Sequence, residues 1–401
     1  MDTCTVEIRV LHGNMRKGLR ENRKMTPNKN LRTYSLKEID HYRIHGRTDE
    51  TQYPVPLFYN GSGIEVNVTG TELWIDVEVD YDVFEPWAWT ALNGAFVSRQ
   101  MLLSGTRSVC LFRGMSPATV KNVRFTRELQ AMSEDDSCCL LIKGFRSDGG
   151  FLPVEPRKFK LEFIGDSITS GEGTYGAKGE MDWIPMYMGS SRNYARMVSD
   201  ALDAEYRLIS QGGWGVLCGW DNDPRHNMPS CYGKICGLAK GERNESLGAA
   251  KPYDFGSWVP DAVIVNLGTN DAGAFDQPAW TDPVSGQTFQ QRRGADGTYH
   301  PEDLARFKQA AVNFLEMIRR NNPGSHIVWV YGMMGYDLTL AIADAVNTYQ
   351  EMTGDTNTAF LQLPNTTEET VGSREHAGAK SHARAAEVIV EYLRNVIGND
   401  K

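Results

Sequence analysis

The sequence feature that most constrains the fold is residues 160–173, KLEFIGDSITSGEG. The apolar run Leu161–Ile164 predicts a short buried strand, and Gly165 marks its end. Asp166 and Ser167 follow directly on the predicted turn. A serine at the carboxyl end of a strand presents its hydroxyl at the edge of a sheet, which is where α/β folds bind their ligands. This stretch therefore predicts a ligand-facing serine in an α/β domain.

The sequence after residue 157 alternates short apolar runs with stretches of helical periodicity. Continuous apolar runs such as Ala262–Leu267 are typical of strands in a sheet that is covered on both faces. Strands that alternate with helices predict a three-layer α/β/α domain with a mainly parallel sheet, which we place at residues 158–401. The other predicted strands are Tyr206–Ile209, His326–Tyr331 and Ala359–Leu363, and the predicted helices lie around residues 192–203, 301–321, 338–352 and 378–396.

The part of the chain before this domain shows the period-two alternation of β-strands. Apolar and polar residues alternate over residues 64–68 and again over residues 73–79, on either side of a turn at residues 69–71. This pattern predicts a hairpin. Further short runs, punctuated by glycine and proline, predict a β-sandwich, specifically a jelly roll, over residues 36–157. Residues 1–35 are basic and polar, and we expect an N-terminal arm there.

Composition and charge narrow the class of protein. A chain of 401 residues, 41% of them hydrophobic, predicts two domains with cores of ordinary size. The net charge of −9 argues against nucleic acid or an anionic membrane surface as a partner. The sequence has no run of about 18 apolar residues, so it predicts no membrane-spanning helix.

We expect a cytoplasmic protein. Residues 1–24 lack the continuous apolar segment of a secretory signal. A secreted protein whose leader had been trimmed would look the same, so secretion stays an alternative. The cysteines number seven, and the adjacent Cys138 and Cys139 do not readily pair with each other, so free thiols are the simpler expectation. Cys231 and Cys236 have no matching Cys or His cluster nearby in the sequence, so we expect no metal site there.

Four segments of the predicted α/β domain carry residues of catalytic type. Three follow predicted strands and the fourth leads into the last helix: residues 165–167 (GDS), 210–216 (SQGGWGV), 266–271 (NLGTND) and 373–382 (SREHAGAKSH). In a parallel sheet the carboxyl ends of the strands meet at one edge, so we expect these segments to lie together.

Each segment offers one part of an acyl-transfer site. Ser167 is the candidate nucleophile, and it needs a base within hydrogen-bond reach. His376 is the candidate base, because imidazole titrates near neutral pH. The backbone N–H groups of Ser167 and Gly213 and the side-chain amide of Asn270 are the candidate oxyanion donors. Such a site needs neither a metal nor a cofactor, and we predict none; His382 is expected to face solvent on the last helix.

The segments GDSITSGEG, GGWGV, GTND and EHAGAKSH resemble the four sequence blocks of the SGNH hydrolases, the GDSL-type esterases. In that family the characteristic block residues are Ser, Gly, Asn and His. The resemblance assigns these roles to Ser167, Gly213, Asn270 and His376, over most of residues 158–400.

The whole of residues 40–398 is similar to carbohydrate esterase family 2, on segments such as YRIHGRT, PLFYNGSGIEVNVTGTEL, WVPDAVIVNLGTND and NNPGSHIVWVYGMMG. That family joins a jelly-roll domain to an SGNH domain and removes acetyl groups from hemicellulose sugars. The resemblance implies an esterase that deacetylates xylan, mannan or glucomannan, or their oligosaccharides. The partner is then an acetylated polysaccharide or oligosaccharide.

The sequence departs from the SGNH pattern at one position. Members of the family usually carry Asp three residues before the catalytic His, and this chain has Ser373 there. The resemblance therefore implies a Ser–His dyad. A backbone carbonyl, Ser373 or Glu375 are the alternatives for holding the ring of His376, and our hypothesis is a main-chain carbonyl.

Aromatic rings stack on the apolar faces of sugars, so tryptophans in the catalytic domain are candidate substrate-binding residues. We predict this role for Trp214, beside Gly213, and for Trp220 and Trp280, which lie in long polar loops. The patternless segment 272–299 is expected to cover the cleft or to contact a neighbouring subunit.

Two other functions remain open from the sequence. One is an SGNH lipase or thioesterase that acts on other acyl groups. The other is an inactive carbohydrate-binding protein, because the usual Asp is missing.

Overall fold

The computed structural model describes Pro27 and residues 30–398. Most of the predicted N-terminal arm, residues 1–35, therefore lies outside the described residues. The last four residues of that segment, Arg32–Ser35, do not form an irregular arm. They form a β-strand, because they pair with the edge of a sheet.

Two antiparallel sheets are built from the strands between residues 32 and 152, all of which the structure describes. One sheet has the order β1-β10-β5-β8, with β3 also paired to β10, and the other has the order β11-β4-β9-β6-β7, with β2 also paired to β4. The strands are β1 (Arg32–Ser35), β2 (Arg43–His45), β3 (Val55–Pro56), β4 (Gly63–Val68), β5 (Glu72–Asp80), β6 (Trp87–Leu92), β7 (Ala95–Met101), β8 (Gly105–Arg113), β9 (Lys121–Arg127), β10 (Cys139–Ser147) and β11 (Phe151–Leu152).

The predicted hairpin at residues 64–79 is wrong. Both strands exist as β4 and β5, but they belong to different sheets, and the turn between them crosses from one sheet to the other. Gly70 in this turn has φ +90°, and a Cβ there would lie 2.6 Å from Oδ1 of Asp148. The alternation was genuine because each strand has one face towards the core. The sheets share that core, to which Val66 of β4, Ile75 of β5 and Phe145 of β10 contribute buried side chains.

The second part of the chain has a parallel sheet of five strands in the order β13-β12-β14-β17-β18. Its strands are β12 (Phe159–Gly165), β13 (Ala204–Ser210), β14 (Ala262–Asn266), β17 (His326–Tyr331) and β18 (Thr358–Gln362). Every neighbouring pair is parallel, and the five strands are those that the apolar runs predict. Two further short strands, β15 (Trp280–Thr281) and β16 (Thr288–Phe289), pair with each other in the long segment before residue 300.

Helices cover both faces of the parallel sheet, which confirms the three-layer α/β/α prediction. The long helices at 301–321 and 339–353 pack on one face, against Val265 and Trp329. The helices at 194–202 and 379–396 pack on the other face. The helices of the described residues are α1 (Ser167–Ser170), α2 (Tyr194–Leu202), α3 (Pro229–Tyr232), α4 (Gly241–Ser246), α5 (Thr269–Ala274), α6 (Pro301–Asn321), α7 (Thr339–Thr353) and α8 (Ala379–Val396), with 3-10 turns at Leu36–Glu38, Pro185–Tyr187, Ser190–Arg192 and Ser373–Glu375. None of these helices combines the length and the apolar character that crossing a bilayer requires.

The antiparallel sheets and the α/β part share buried contacts. Phe58, Tyr59 and Ala131 from the first part lie in the same apolar cluster as Ile209 and Trp214 from the second. These contacts hold the loop between β9 and β10 against the edge of the parallel sheet where the strands end, and that edge carries the candidate site.

Candidate active site

The candidate nucleophile lies where β12 ends. Asp166 caps helix α1 by accepting a hydrogen bond from the backbone N–H of Ile168 (3.0 Å). Ser167 is the first residue of that helix. A Cβ on Gly165 would clash with Oγ1 of Thr169, so the tight turn from strand to helix requires glycine.

The candidate base lies beside this serine. His376 follows the 3-10 turn Ser373–Glu375, and its Nε2 is 3.1 Å from Oγ of Ser167, within hydrogen-bond distance. Gly173 allows this approach, because it has φ +82° and a Cβ there would lie 2.7 Å from Cβ of His376. The structure thus brings together two side chains that are 209 positions apart in sequence.

A main-chain carbonyl holds the ring of His376, as our hypothesis predicts. Nδ1 lies 2.8 Å from the carbonyl oxygen of Arg374. A carbonyl oxygen can only accept, so Nδ1 carries the proton and Nε2 is free to accept from Ser167. Ser373, at the usual Asp position, instead donates its hydroxyl to the carbonyl oxygen of Tyr175 (2.9 Å). Glu375 is exposed.

The two remaining block residues border the same cavity as Ser167 and His376. Gly213 has φ +79°, a conformation that favours glycine. Its carbonyl oxygen accepts a hydrogen bond from the backbone N–H of Trp220 (3.1 Å). The side-chain Nδ2 of Asn270 donates to the carbonyl of Trp214 (3.0 Å) and to Oδ2 of Asp166 (3.3 Å). These bonds fix the amide at the cavity wall and use both of its N–H groups, so donation to an oxyanion requires that the longer bond, to Asp166, gives way.

A buried carboxylate that the sequence argument missed fixes the loop after Gly213. Asp271 accepts hydrogen bonds from the backbone N–H groups of residues 216, 217 and 218. Burial raises the pKa of Asp271 to about 6, and burial together with the charge of Asp271 raises the pKa of Asp166 to about 7. The signal was present in the sequence, since Asp271 is the last residue of the GTND segment.

The cavity at this site has a volume of about 470 Å³, and both parts of the chain line it. Gln130 comes from the loop between β9 and β10, and its Oε1 accepts from the backbone N–H of Gly212 (2.9 Å). Sequence reasoning assigned no site residue to the N-terminal part. The lining residues are Gln130, Met132, Ser133, Glu134, Ser167, Glu172, Trp183, Gln211, Gly212, Gly213, Trp220, Asn270, Arg374 and His376.

Tryptophans border the cavity, but only one of them is among those predicted. Trp220 lines it with about half of its surface exposed, and Trp183, which was not predicted, lines it as well. Trp214 is 7% exposed and stacks on His226, because the chain turns its ring into the core beside Gly213. Trp280 lies outside the lining, in strand β15, with the guanidinium of Arg225 over its ring. The positions of Trp214 and Trp280 therefore do not support a contact with substrate in this cavity.

The segment 272–299 does not cover the cavity: among the described lining residues, none comes from it. It contains the paired strands β15 and β16, and one ion pair within the segment and one to helix α6 hold it in place. Arg293 pairs with Asp276 (2.6 Å), and Arg292 pairs with Asp303 of helix α6 (2.7 Å). A contact with a neighbouring subunit stays a prediction for this segment.

We expected His382 to face solvent from its place on the last helix, and this prediction is wrong. The histidine is fully buried, its Nδ1 accepts from the backbone N–H of Tyr194 (3.0 Å), and the two rings stack. Burial lowers the pKa of His382 to about 3. In the described residues no three His, Cys, Asp or Glu side chains are grouped as a metal site requires.

Two residues that touch the candidate base were also missed. The carboxylate of Glu172 is nearly buried, and its Oε1 accepts from Nε of Arg374 (2.8 Å) while its Oε2 lies 3.7 Å from Nε2 of His376. Glu172 belongs to the GDSITSGEG segment, but nothing in the sequence indicates that it would meet Arg374, about two hundred residues later.

Comparison with known proteins gives one family and several relatives. A profile of the GDSL-like lipase/acylhydrolase family matches residues 163–382. The structure of an acetyl xylan esterase, Est2A, from the rumen bacterium Butyrivibrio proteoclasticus is 55% identical, with a TM-score of 0.91 over 92% of this chain and 100% of that one. A family two carbohydrate esterase from Clostridium thermocellum, in complex with cellohexaose, is 24% identical, with a TM-score of 0.73 over 89% of this chain and 99% of that one.

Among curated sequences, an acetylxylan esterase / glucomannan deacetylase from Cellvibrio japonicus is 31% identical over 120 residues, which is 30% of this chain and 31% of that protein. The chain spans between 31% and 38% of the length of the curated relatives that it matches.

Proposed function

The chain belongs to the GDSL-like lipase/acylhydrolase family, and on that premise we propose that it is a serine esterase that removes O-acetyl groups from hemicellulose or its oligosaccharides. The observation that carries the proposal is the 3.1 Å contact between Oγ of Ser167 and Nε2 of His376 at the wall of an open cavity. The acetyl xylan esterase activity of the 55% identical relative supports the substrate class.

In the proposed reaction, Oγ of Ser167 attacks the acetyl carbonyl carbon while its proton passes to Nε2 of His376. The imidazolium then gives this proton to the departing sugar oxygen, which leaves an acetyl-enzyme. A water molecule then attacks the ester carbon while His376 takes one of its protons, and the imidazolium gives this proton to Oγ of Ser167 as the bond to the acetyl carbon breaks. Acetic acid leaves and ionises to acetate, and Ser167 and neutral His376 are restored. The N–H groups of Ser167 and Gly213 and the Asn270 amide are the proposed oxyanion donors, and one such donor contributes about 3–4 kcal/mol to lowering the barrier.

The cavity lining supports a small acyl group on a sugar. Nine of the fourteen lining residues have polar side chains, and these can bond the hydroxyl groups of a sugar. Trp183 and Trp220 offer flat rings against which a pyranose packs. We therefore place the sugar between these rings and the acetyl group at Ser167.

Turnover of a chromogenic acetate ester is the first test. We expect activity in the wild-type protein and its loss in Ser167→Ala and His376→Ala, with folding unchanged by circular dichroism. NMR-followed deacetylation of acetylated xylo- and manno-oligosaccharides then reports the sugar and the position. Faster turnover of long-chain esters than of acetate would support the lipase alternative. Binding of oligosaccharides without any ester turnover would support the inactive binding protein.

We also propose a jelly-roll topology and a division into two domains between residues 157 and 158. The second domain is residues 158–401, and the first, expected at residues 36–157, also includes Arg32–Ser35, because strand β1 pairs with β10. Support comes from the strand orders β3-β10-β5-β8 and β4-β9-β6-β7, in which the eight strands from β3 to β10 divide between the sheets as in two Greek keys. Residues 155–158 are exposed between the last antiparallel strand and β12, which supports a linker there. In limited proteolysis we expect the protease to cut within this linker before it cuts inside either domain.

A cytoplasmic location stays our proposal. It is supported by the six described cysteines, all of which are free thiols, since a reducing compartment preserves them. Fractionation of the source cells tests it, and recovery of the protein from the medium would show secretion instead.

A further inference from the structure

We propose that Glu172 and Arg374 act as one unit of positioning residues that takes the place of the acidic partner of the histidine. This inference rests on the proposed function, because it concerns the base of the same esterase site. It goes beyond that function by assigning a task to an ion pair whose side chains make no hydrogen bond to Ser167 or to the proposed oxyanion donors. Glu172 reaches Ser167 through its backbone, where its N–H donates to the carbonyl oxygen of Ser167 (3.0 Å).

Arg374 is held at both its side chain and its backbone. Nε of Arg374 donates to Oε1 of Glu172 (2.8 Å), and Nη1 donates to the carbonyl oxygen of Met181 (2.8 Å). The backbone N–H of Arg374 donates to the carbonyl oxygen of Glu180 (2.6 Å). Its own carbonyl oxygen is the partner of Nδ1 of His376 (2.8 Å). Two nitrogens of the guanidinium and both backbone polar groups of Arg374 are therefore bonded, and together these bonds fix the one oxygen that holds the imidazole.

The backbone at this point needs such anchoring. Arg374 has φ +53° and Glu375 has φ +57°, so two successive residues other than glycine adopt the left-handed conformation. That conformation is disfavoured for side chains with a Cβ, and it persists only where surrounding contacts enforce it. We infer that the Glu172–Arg374 pair is a principal contact of this kind, because without it the carbonyl of Arg374 is free to turn away from His376.

Glu172 also faces the other nitrogen of the ring. Its Oε2 lies 3.7 Å from Nε2 of His376, and its side chain is only 5% exposed. A carboxylate in this position stabilises the imidazolium that forms when Ser167 gives up its proton. The other charged or titratable groups near the pair are Asp166, which precedes Ser167, Glu134, which lines the same cavity, and the buried His382, whose charge is coupled to that of His376.

The pair therefore does two things that an Asp three residues before the histidine does in related enzymes. Through Arg374 it orients Nδ1, and through the charge of Glu172 it favours the protonated ring. Ser373, which occupies the Asp position, is committed to the carbonyl of Tyr175 and leaves both tasks to this pair.

The test compares Glu172→Gln and Arg374→Gly with Asp355→Asn. Glu172→Gln keeps the size of the side chain and removes its charge. Arg374→Gly removes the guanidinium but keeps the carbonyl and tolerates φ +53°. Asp355→Asn is the matched control, because Asp355 pairs with Arg319 at 2.7 Å at the other side of the domain.

On an acetate ester we expect kcat to fall about tenfold in Glu172→Gln and in Arg374→Gly, with KM within about twofold of wild type. We expect the acid limb of the kcat/KM profile in Glu172→Gln to move to lower pH, by about half a pH unit or more, because the variant lacks the negative charge that favours the protonated ring. The double variant should lose no more than about the larger single loss, because the two residues act as one unit. Asp355→Asn should change none of these quantities.

Unchanged kcat and an unchanged pH profile in both site variants would overturn the proposal, as would losses that multiply in the double variant. A readout that does not need turnover separates this failure from failure of the esterase proposal. In Ser167→Ala, the Nδ1 proton of His376 should give a low-field proton resonance that Glu172→Gln broadens and Asp355→Asn keeps. If the wild-type protein turns over no ester but this resonance behaves as described, the function fails and the positioning inference stands; if Glu172→Gln leaves the resonance sharp, the inference fails.

Discussion

Replacing Gly173 by alanine tests whether the distance between base and nucleophile controls the reaction. Gly173 is buried with φ +82°, and a Cβ there would lie 2.7 Å from Cβ of His376. Gly179, six residues later, has a similar φ of +91°, and no described residue has an atom within 4 Å of a Cβ placed there. The two alanine variants thus share the backbone penalty and differ in the contact with His376.

The magnitude follows from these two effects. A left-handed conformation is disfavoured by about 1–2 kcal/mol for a residue with a Cβ, so both variants should lose about this much stability. Only Gly173→Ala must move a neighbour, and a shift of about 0.7 Å brings the contact with His376 to 3.4 Å, where ordinary contact begins. A misplacement of about 1 Å reduces rates by about 100-fold, so we expect kcat of Gly173→Ala to fall between about tenfold and 100-fold.

The assay is initial-rate kinetics on a chromogenic acetate ester, with urea unfolding to measure the stability of each variant. A loss of stability in both variants, at least as large in Gly173→Ala because its Cβ must also displace His376, and a loss of kcat in Gly173→Ala alone would support the geometry. If kcat falls equally in the two variants, or in neither, the contact with His376 does not displace the ring, and the reasoning is refuted.

Three further predictions follow from the site. Folded Asp166, with its pKa raised to about 7, keeps a proton that the unfolded chain releases near pH 4, so it makes stability fall as pH rises from about 4 to 7; in Asp166→Asn the urea-unfolding free energy should fall less with pH, with the part below about pH 6 that comes from Asp271 remaining, and an unchanged slope would contradict this prediction. Gln130→Ala removes the acceptor of the Gly212 N–H and should lower kcat about tenfold with KM nearly constant; a change in KM alone would argue against it. Trp220→Ala should raise KM for acetylated oligosaccharides about tenfold, whereas Trp280→Ala, away from the cavity, should not; equal effects would contradict this assignment.

The sequence allowed most of the α/β part to be predicted because its strands are buried on both faces and its helices are amphipathic. All five parallel strands and the four long helices were found within a few residues. The hairpin error at residues 64–79 has a different origin. Alternation tells which face of each strand is buried, but it does not tell whether the partner across a short turn lies in the same sheet or in the opposite one. Only the packing of the two sheets decides that.

The same distinction explains what was and was not predicted at the site. Ser167, Gly213 and Asn270 follow strand ends and His376 precedes the last helix, so topology brings all four to one edge of the sheet. The ring of Trp214 points into the core although its neighbour Gly213 lines the cavity, because adjacent residues in a loop project in different directions. Tertiary contacts set the direction of a side chain within a loop, so the local sequence pattern does not predict it.

The contacts that complete the site come from the part of the chain that carries no catalytic segment. Gln130 holds the loop that contains Gly213, and the buried Asn60 accepts from Ser210 at the end of β13 (3.0 Å). Glu128 accepts from the backbone N–H of Ser191 (2.9 Å), which leads into the helix packed behind the nucleophile. Since all three residues lie before β12, the antiparallel sheets are more than an attached binding module. They hold the donor loop and the cavity wall in place, so the geometry of the candidate active site belongs to both parts of the chain.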